Sequence, residues 1–140
     1  MRIMSFVLLI GLLLCFSFSP LRAESEAEKA AVSAAQTWLT LMDGGNYPSS
    51  WKEASSYFRG AVTEQSWGAS MEGFRKPLGK LVNRKIMRTQ ESTSLPGAPD
   101  GRYVVMFFET SFEKKKAVVE TVTFMLEKDG KWRAAGYFIK

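Results

Sequence analysis

Glu109 and Glu120 are the residues whose type and spacing come nearest to a catalytic arrangement. They lie in neighbouring β-branched and aromatic runs, 102–113 and 117–127, joined by Lys114-Lys115-Lys116. A hairpin symmetric about Lys114 and Lys115 sets Tyr103, Val105, Phe107 and Glu109 on one face with Leu126, Phe124, Val122 and Glu120, because side chains alternate along a strand. Two carboxylates directly opposite repel, so the pair needs a shared proton, a cation or water. Coupled carboxylates with one raised pKa are what acid/base catalysis requires, and Arg84, Arg88, Arg133 or Tyr137 would supply the compensating partner. On this reading the protein is a lyase, isomerase or hydrolase using Glu109 and Glu120, oriented by Tyr137 or Arg84. The plainer reading is a solvated hairpin tip, in which both acids point at water beside the lysines.

Composition removes most other chemistry. The 140 residues contain no His and one Cys, Cys15, so triads built on His and most zinc sites are excluded. There is no Gly-rich phosphate loop, no calcium loop and no internal repeat. No metal and no cofactor is expected, and any enzyme here has only carboxylates, Tyr, Lys or Arg to use.

Arg2 precedes an apolar run, Ile3 to Phe18, followed by Ser19-Pro20-Leu21-Arg22-Ala23. A positive start, a short greasy stretch, a helix breaker and a small residue read as a secretory signal peptide cut near Ala23. The run falls short of the roughly 20 residues that a spanning helix wants. Leu14 before Cys15 argues against a lipid-modified cysteine. Residues 1–23 are then the signal and 24–140 a single domain, periplasmic or secreted, touching membrane only through the signal before cleavage. Cleavage removes Cys15, Arg2 and Arg22 and lowers the formal charge of +5 by two.

Three helices are expected next. Ser25-Glu26-Ala27-Glu28 is a capping box, and Ala31, Val32, Ala35, Trp38, Leu39 and Met42 form one stripe that ends at Gly44-Gly45. Ser50-Trp51-Lys52-Glu53 suggests a second box and a short helix with Trp51, Ala54, Tyr57 and Phe58 inward. A third begins near Thr63, with Trp67, Met71, Phe74 and Leu78 inward, and stops at Pro77. From Gly79 the period changes to that of strands: 80–93, with Val82, Arg84, Ile86 and Arg88 on one face, then 102–113, 117–127 and 131–139. Lys128-Asp129-Gly130 is a tight turn with Gly in the left-handed position. The fold class is α+β, three N-terminal helices on one face of a four-stranded antiparallel meander.

Binding offers a second class of function. The loop Leu95-Pro96-Gly97-Ala98-Pro99-Asp100-Gly101 is longer than an ordinary hairpin turn, and two prolines make it a rigid surface. Trp67, Arg84, Pro96, Gly97, Pro99 and Asp100 are the candidate ligand contacts. Arg75, Lys76, Lys80, Arg84, Lys85 and Arg88 form the one dense basic stretch, which suits an anionic envelope component better than nucleic acid. The partner is then a small molecule or an envelope protein. A third reading is a homodimer through an apolar outer sheet face made by Val104, Met106, Phe108, Phe112, Val119 and Met125.

Several strings across residues 38–137 carry a family resemblance: Gly44-Gly45-Asn46-Tyr47, Arg75-Lys76-Pro77-Leu78-Gly79, Leu95-Pro96-Gly97, Pro99-Asp100-Gly101 with Tyr103, and Trp132 with Gly136-Tyr137. They resemble the small exported bacterial family known as domain of unknown function 4019. The resemblance implies a cystatin-like or NTF2-like fold with a cleft between helices and sheet. It brings no activity and no catalytic residue.

Overall fold

The computed structural model describes residues 22–140; the apolar run and most of the expected signal lie outside the described residues. Helix α1, Glu26–Asp43, starts on the reciprocal cap of Ser25 and Glu28. Its stripe of Ala31, Ala35, Trp38, Leu39 and Met42 is buried against the sheet.

The next segment makes two short helices where one is expected: α2, Tyr47–Lys52, and α3, Ser56–Ala61. Pro48 sits in the first turn of α2, where its fixed φ suits a helix start and its missing N–H costs nothing. Ser50 is therefore inside the helix rather than a cap, and Ser55 caps α3 by accepting from the Phe58 N–H. Helix α4, Glu64–Phe74, begins on Thr63 and gives way to a single 3-10 turn, Lys76–Leu78. That makes four α-helices among the described residues.

Strands β1 (Leu81–Ser92), β2 (Tyr103–Phe112), β3 (Lys115–Leu126) and β4 (Trp132–Ile139) form one antiparallel sheet in chain order. The fold class is α+β as expected. The face assignment of β2 is not. Phe112 pairs with Lys115, but Thr110 pairs with Val118. β3 therefore carries an extra residue just after the turn, and Ala117 takes a positive φ of 55° there. This bulge shifts the register by one, setting Phe108 opposite Glu120 and Glu109 opposite Val119. A one-residue slip exchanges the two faces of a strand. Val104, Met106, Phe108 and Phe112 accordingly lie in the core beneath the helices, not on an outer dimer face. Of the six residues expected on that face, Val119 and Met125 occupy it, beside Val105 and Phe107. Strand β1 has two register shifts of its own, so Arg84 and Ile86 share the core side with Thr110 and Phe108 while Arg88 pairs with Phe107 on the outside.

An aromatic cluster fills the space between α1, α4 and the sheet. The Trp38 ring lies 6.0 Å from Phe124, 5.8 Å from Tyr137 and 6.4 Å from Trp67. Phe58 meets Trp67 edge to face at 5.0 Å. The indole N–H groups of Trp38 and Trp67 donate to the carbonyl and the hydroxyl of Ser50, each at 2.9 Å. Buried indoles need such partners, and one small buried residue serves both.

Candidate functional site

Behind the aromatic cluster lies a buried network of ions. Asp43 is the last residue of α1, where the helix dipole disfavours a negative charge and a cation must compensate. Two do. Arg84 donates Nη1 to Oδ2 and Nη2 to Oδ1, both at 2.8 Å, and Arg75 donates Nη2 to Oδ1 at 3.2 Å. Arg84 also grips Glu120 with Nε to Oε1 at 2.6 Å and Nη2 to Oε2 at 3.2 Å. Thr110 donates to Oε1 at 2.6 Å and the Tyr137 hydroxyl to Oε2. Arg75 donates to the Gly79 carbonyl at 2.7 Å and lies 4.1 Å over the Phe112 ring.

Glu120 is 0% exposed and accepts from four donors, so its oxygens have no free position from which to take a proton from a substrate. Glu109 is exposed on the opposite face of the sheet. The expected coupled carboxylate pair is therefore not formed. The cation and the phenol that such a pair would need, Arg84 and Tyr137, instead enclose Glu120 alone. Burial pushes the Tyr137 phenol well above its ordinary range, and the adjacent Glu120 charge adds to the shift. Burial pulls Arg84 down, but its bonds to Asp43 and Glu120 outweigh this and raise it. Two cations and two anions balance, and the arrangement locks α1 to β1 and β3 rather than presenting a reactive group.

The open site is on the other side of Tyr137. A groove of about 740 Å³ runs between α4, the 3-10 turn and the C-terminal half of β4, within the roughly 300–1,000 Å³ usual for small-molecule sites. Its floor includes Trp67, Met71 and Tyr137; Leu78, Ile139 and Val62 are among its walls. Phe74 and Phe138 stand at its rim, 74% and 55% exposed. β4 is an edge strand of the sheet. The Ser55 N–H covers its Ala134 carbonyl at 2.9 Å, and the groove borders the stretch from Gly136 to Lys140.

Of the expected ligand contacts, Trp67 lines this groove and Arg84 lies behind it in the ion network. Pro96, Gly97, Pro99 and Asp100 lie elsewhere, in the loop joining the far ends of β1 and β2. That loop is tied down: Tyr57 donates to the Gly97 carbonyl at 3.1 Å and Tyr103 to that of Pro99. The basic stretch is not one surface either, since Arg75 and Arg84 turn inward and Lys76 pairs with Glu72 at 3.0 Å.

The sequence reading missed Asp43, Arg75 and Thr110, and placed Phe74 and Leu78 in the core. Pro77 carried a usable signal: a helix ending before it cannot hold Phe74 and Leu78 on one stripe. Asp43 carried another, as an acid at a helix C-terminus just before Gly44-Gly45.

Among the described residues no helix is long and apolar enough to cross a membrane. Neither the curated proteins nor the solved structures contain a significant match to the chain. A family model described as a protein of unknown function (DUF4019) matches residues 34–137, from the middle of α1 through Tyr137 of β4, and the chain belongs to that family.

Proposed function

We propose that the protein is an exported binding module whose contact surface is the groove between α4 and β4. The observation that carries this is the groove itself: an apolar trough with a core-backed floor and two phenylalanines exposed at its rim. Apolar surface left open in this way marks interaction sites. The ion network supports the reading, since it fixes Tyr137 from behind and so pre-forms the floor, which lowers the ordering cost of binding. Export rests on the pattern of residues 1–23. Helices over one face of a four-stranded meander suit a cystatin-like or NTF2-like lineage.

A neutral apolar dye, N-phenyl-1-naphthylamine, tests the site. Its fluorescence should rise on mixing with the protein, and Phe74→Glu should remove most of the rise while leaving the circular dichroism spectrum unchanged, because Phe74 is exposed. Equal enhancement in the variant would place the binding surface elsewhere.

A further inference from the structure

The groove has a charge pattern as well as an apolar lining. Among the described residues, the ionisable side chains that line it are those of Lys115 and Lys140 and the neutral Tyr137 phenol, with no Asp or Glu, and the α-carboxylate of Lys140 offsets one of the two ammonium charges. Lys115 belongs to the β2–β3 hairpin, whose backbone docks directly on the groove wall through the Lys114 N–H and the Leu78 carbonyl at 3.0 Å. Lys114 and Lys116 flank it, both exposed. Glu113, the nearest acid in sequence, is engaged elsewhere, accepting from the Lys80 N–H at 2.7 Å. The strand pairing brings the last lysine to the same end: Lys140 and Val119 exchange both backbone hydrogen bonds, at 3.0 and 3.1 Å.

Resting on the groove as the binding surface, we infer that its ligand is a single-chain anionic amphiphile, an acyl chain ending in a carboxylate or phosphate. The chain lies along Tyr137, Leu78 and Ile139 between the exposed rings of Phe74 and Phe138, over a floor closed by Trp67 and Met71, and the anionic head sits at the Lys115 end. Charge complementarity selects the head group, because an apolar trough ending at Lys115, with exposed Lys114 and Lys116 beside it, keeps a net positive end even with the ammonium and α-carboxylate of Lys140 cancelling, and favours an anion over a neutral or cationic head. Shape selects a monomer over a lipid surface, since the residues of α4 and the 3-10 turn face those of β4 across the trough, which takes one chain between its walls where a flat membrane would rest on the rim.

The experiment is a calorimetric titration of the full chain with dodecanoate, dodecanol and dodecyltrimethylammonium, each below its aggregation concentration. Dodecanoate should bind tightest and the ammonium weakest. Shortening the carboxylate chain should weaken binding about fourfold per CH₂ removed (~0.8 kcal/mol). Lys115→Glu with Lys140→Glu should abolish or invert the head-group order, whereas Lys85→Glu, on β1 away from the groove, should leave it unchanged. If all three bind equally and the double variant changes nothing, the anionic head is refuted while the groove stands. Failure of all three to bind, together with failure of the neutral dye, overturns both. Co-sedimentation with phosphatidylglycerol vesicles without binding of monomeric dodecanoate overturns the monomer in favour of a membrane surface.

Discussion

Arg84 of β1 reaches across β2 to hold both oxygens of Glu120 on β3, and the same guanidinium holds both oxygens of Asp43 at the end of α1. One side chain thus ties the first helix to the middle of the sheet. Removing one partner of a buried ion pair leaves an uncompensated charge, which costs about 3–5 kcal/mol. Arg84→Ala is expected to destabilise by that amount in urea unfolding. Glu120→Gln should cost less, because its amide oxygen still accepts from Arg84 or Thr110. The double variant should cost less than the sum of the two singles; strict additivity would mean that the two side chains are not coupled.

Alkaline conditions should unfold the protein through its tyrosines. Burial raises Tyr137, Tyr103 and Tyr47 above the ordinary phenol value of about 10. The folded state therefore keeps protons that the unfolded chain loses, so the stability they supply is complete below pH 10 and falls as pH rises beyond it. A phenolate absorbance titration should show these tyrosines ionising together with loss of ellipticity. Tyr137→Phe should make the fall with pH shallower; an unchanged slope would show that Tyr137 is not the group responsible.

In acid the β3–β4 turn should loosen late. Arg133 bonds both oxygens of Asp129, at 3.0 and 2.8 Å, and with the Lys131 N–H it pulls this carboxyl down to about 2. Its contribution is fully present above the unfolded value near 4 and is lost as pH falls towards 2. Glu28, lowered by its bond from Thr89 against the opposing effect of burial, acts in the same direction at the start of α1. NMR titration of the Asp129 carboxyl should give a midpoint near 2, and Arg133→Ala should return it towards 4.

Ala117 occupies the left-handed region at the bulge, a conformation that costs a non-glycine residue roughly 1–2 kcal/mol. Ala117→Gly should relieve part of this, offset by greater unfolded-state entropy, and raise stability by up to about 1 kcal/mol. Ala117→Val should lower it. A stabilising valine would mean that the bulge is not held in this conformation.

What the sequence disclosed follows from the range of each interaction. The Ser25–Glu28 cap and the Gly130 turn depend on residues close in the chain, and both are found. The face of β2 depended on a single bulged residue. Ala117 gives no compositional sign of a positive φ, where a glycine would have, so Glu109 and Val104 were expected on each other's face. The ion network joins residues 43, 75, 84, 110, 120 and 137, and only their spatial meeting shows that Arg84 and Tyr137 serve Glu120 structurally. The groove was visible in part through Trp67, while Phe138 and Ile139 looked like ordinary members of a final strand.

The groove is tested most directly by two-dimensional NMR of the protein titrated with dodecanoate. The account predicts shifts concentrated at Trp67, Met71, Phe74, Tyr137, Phe138 and Ile139, with the loop 95–101 unmoved. Shifts confined to that loop or to the outer sheet face around Phe107, with the groove residues silent, would contradict it.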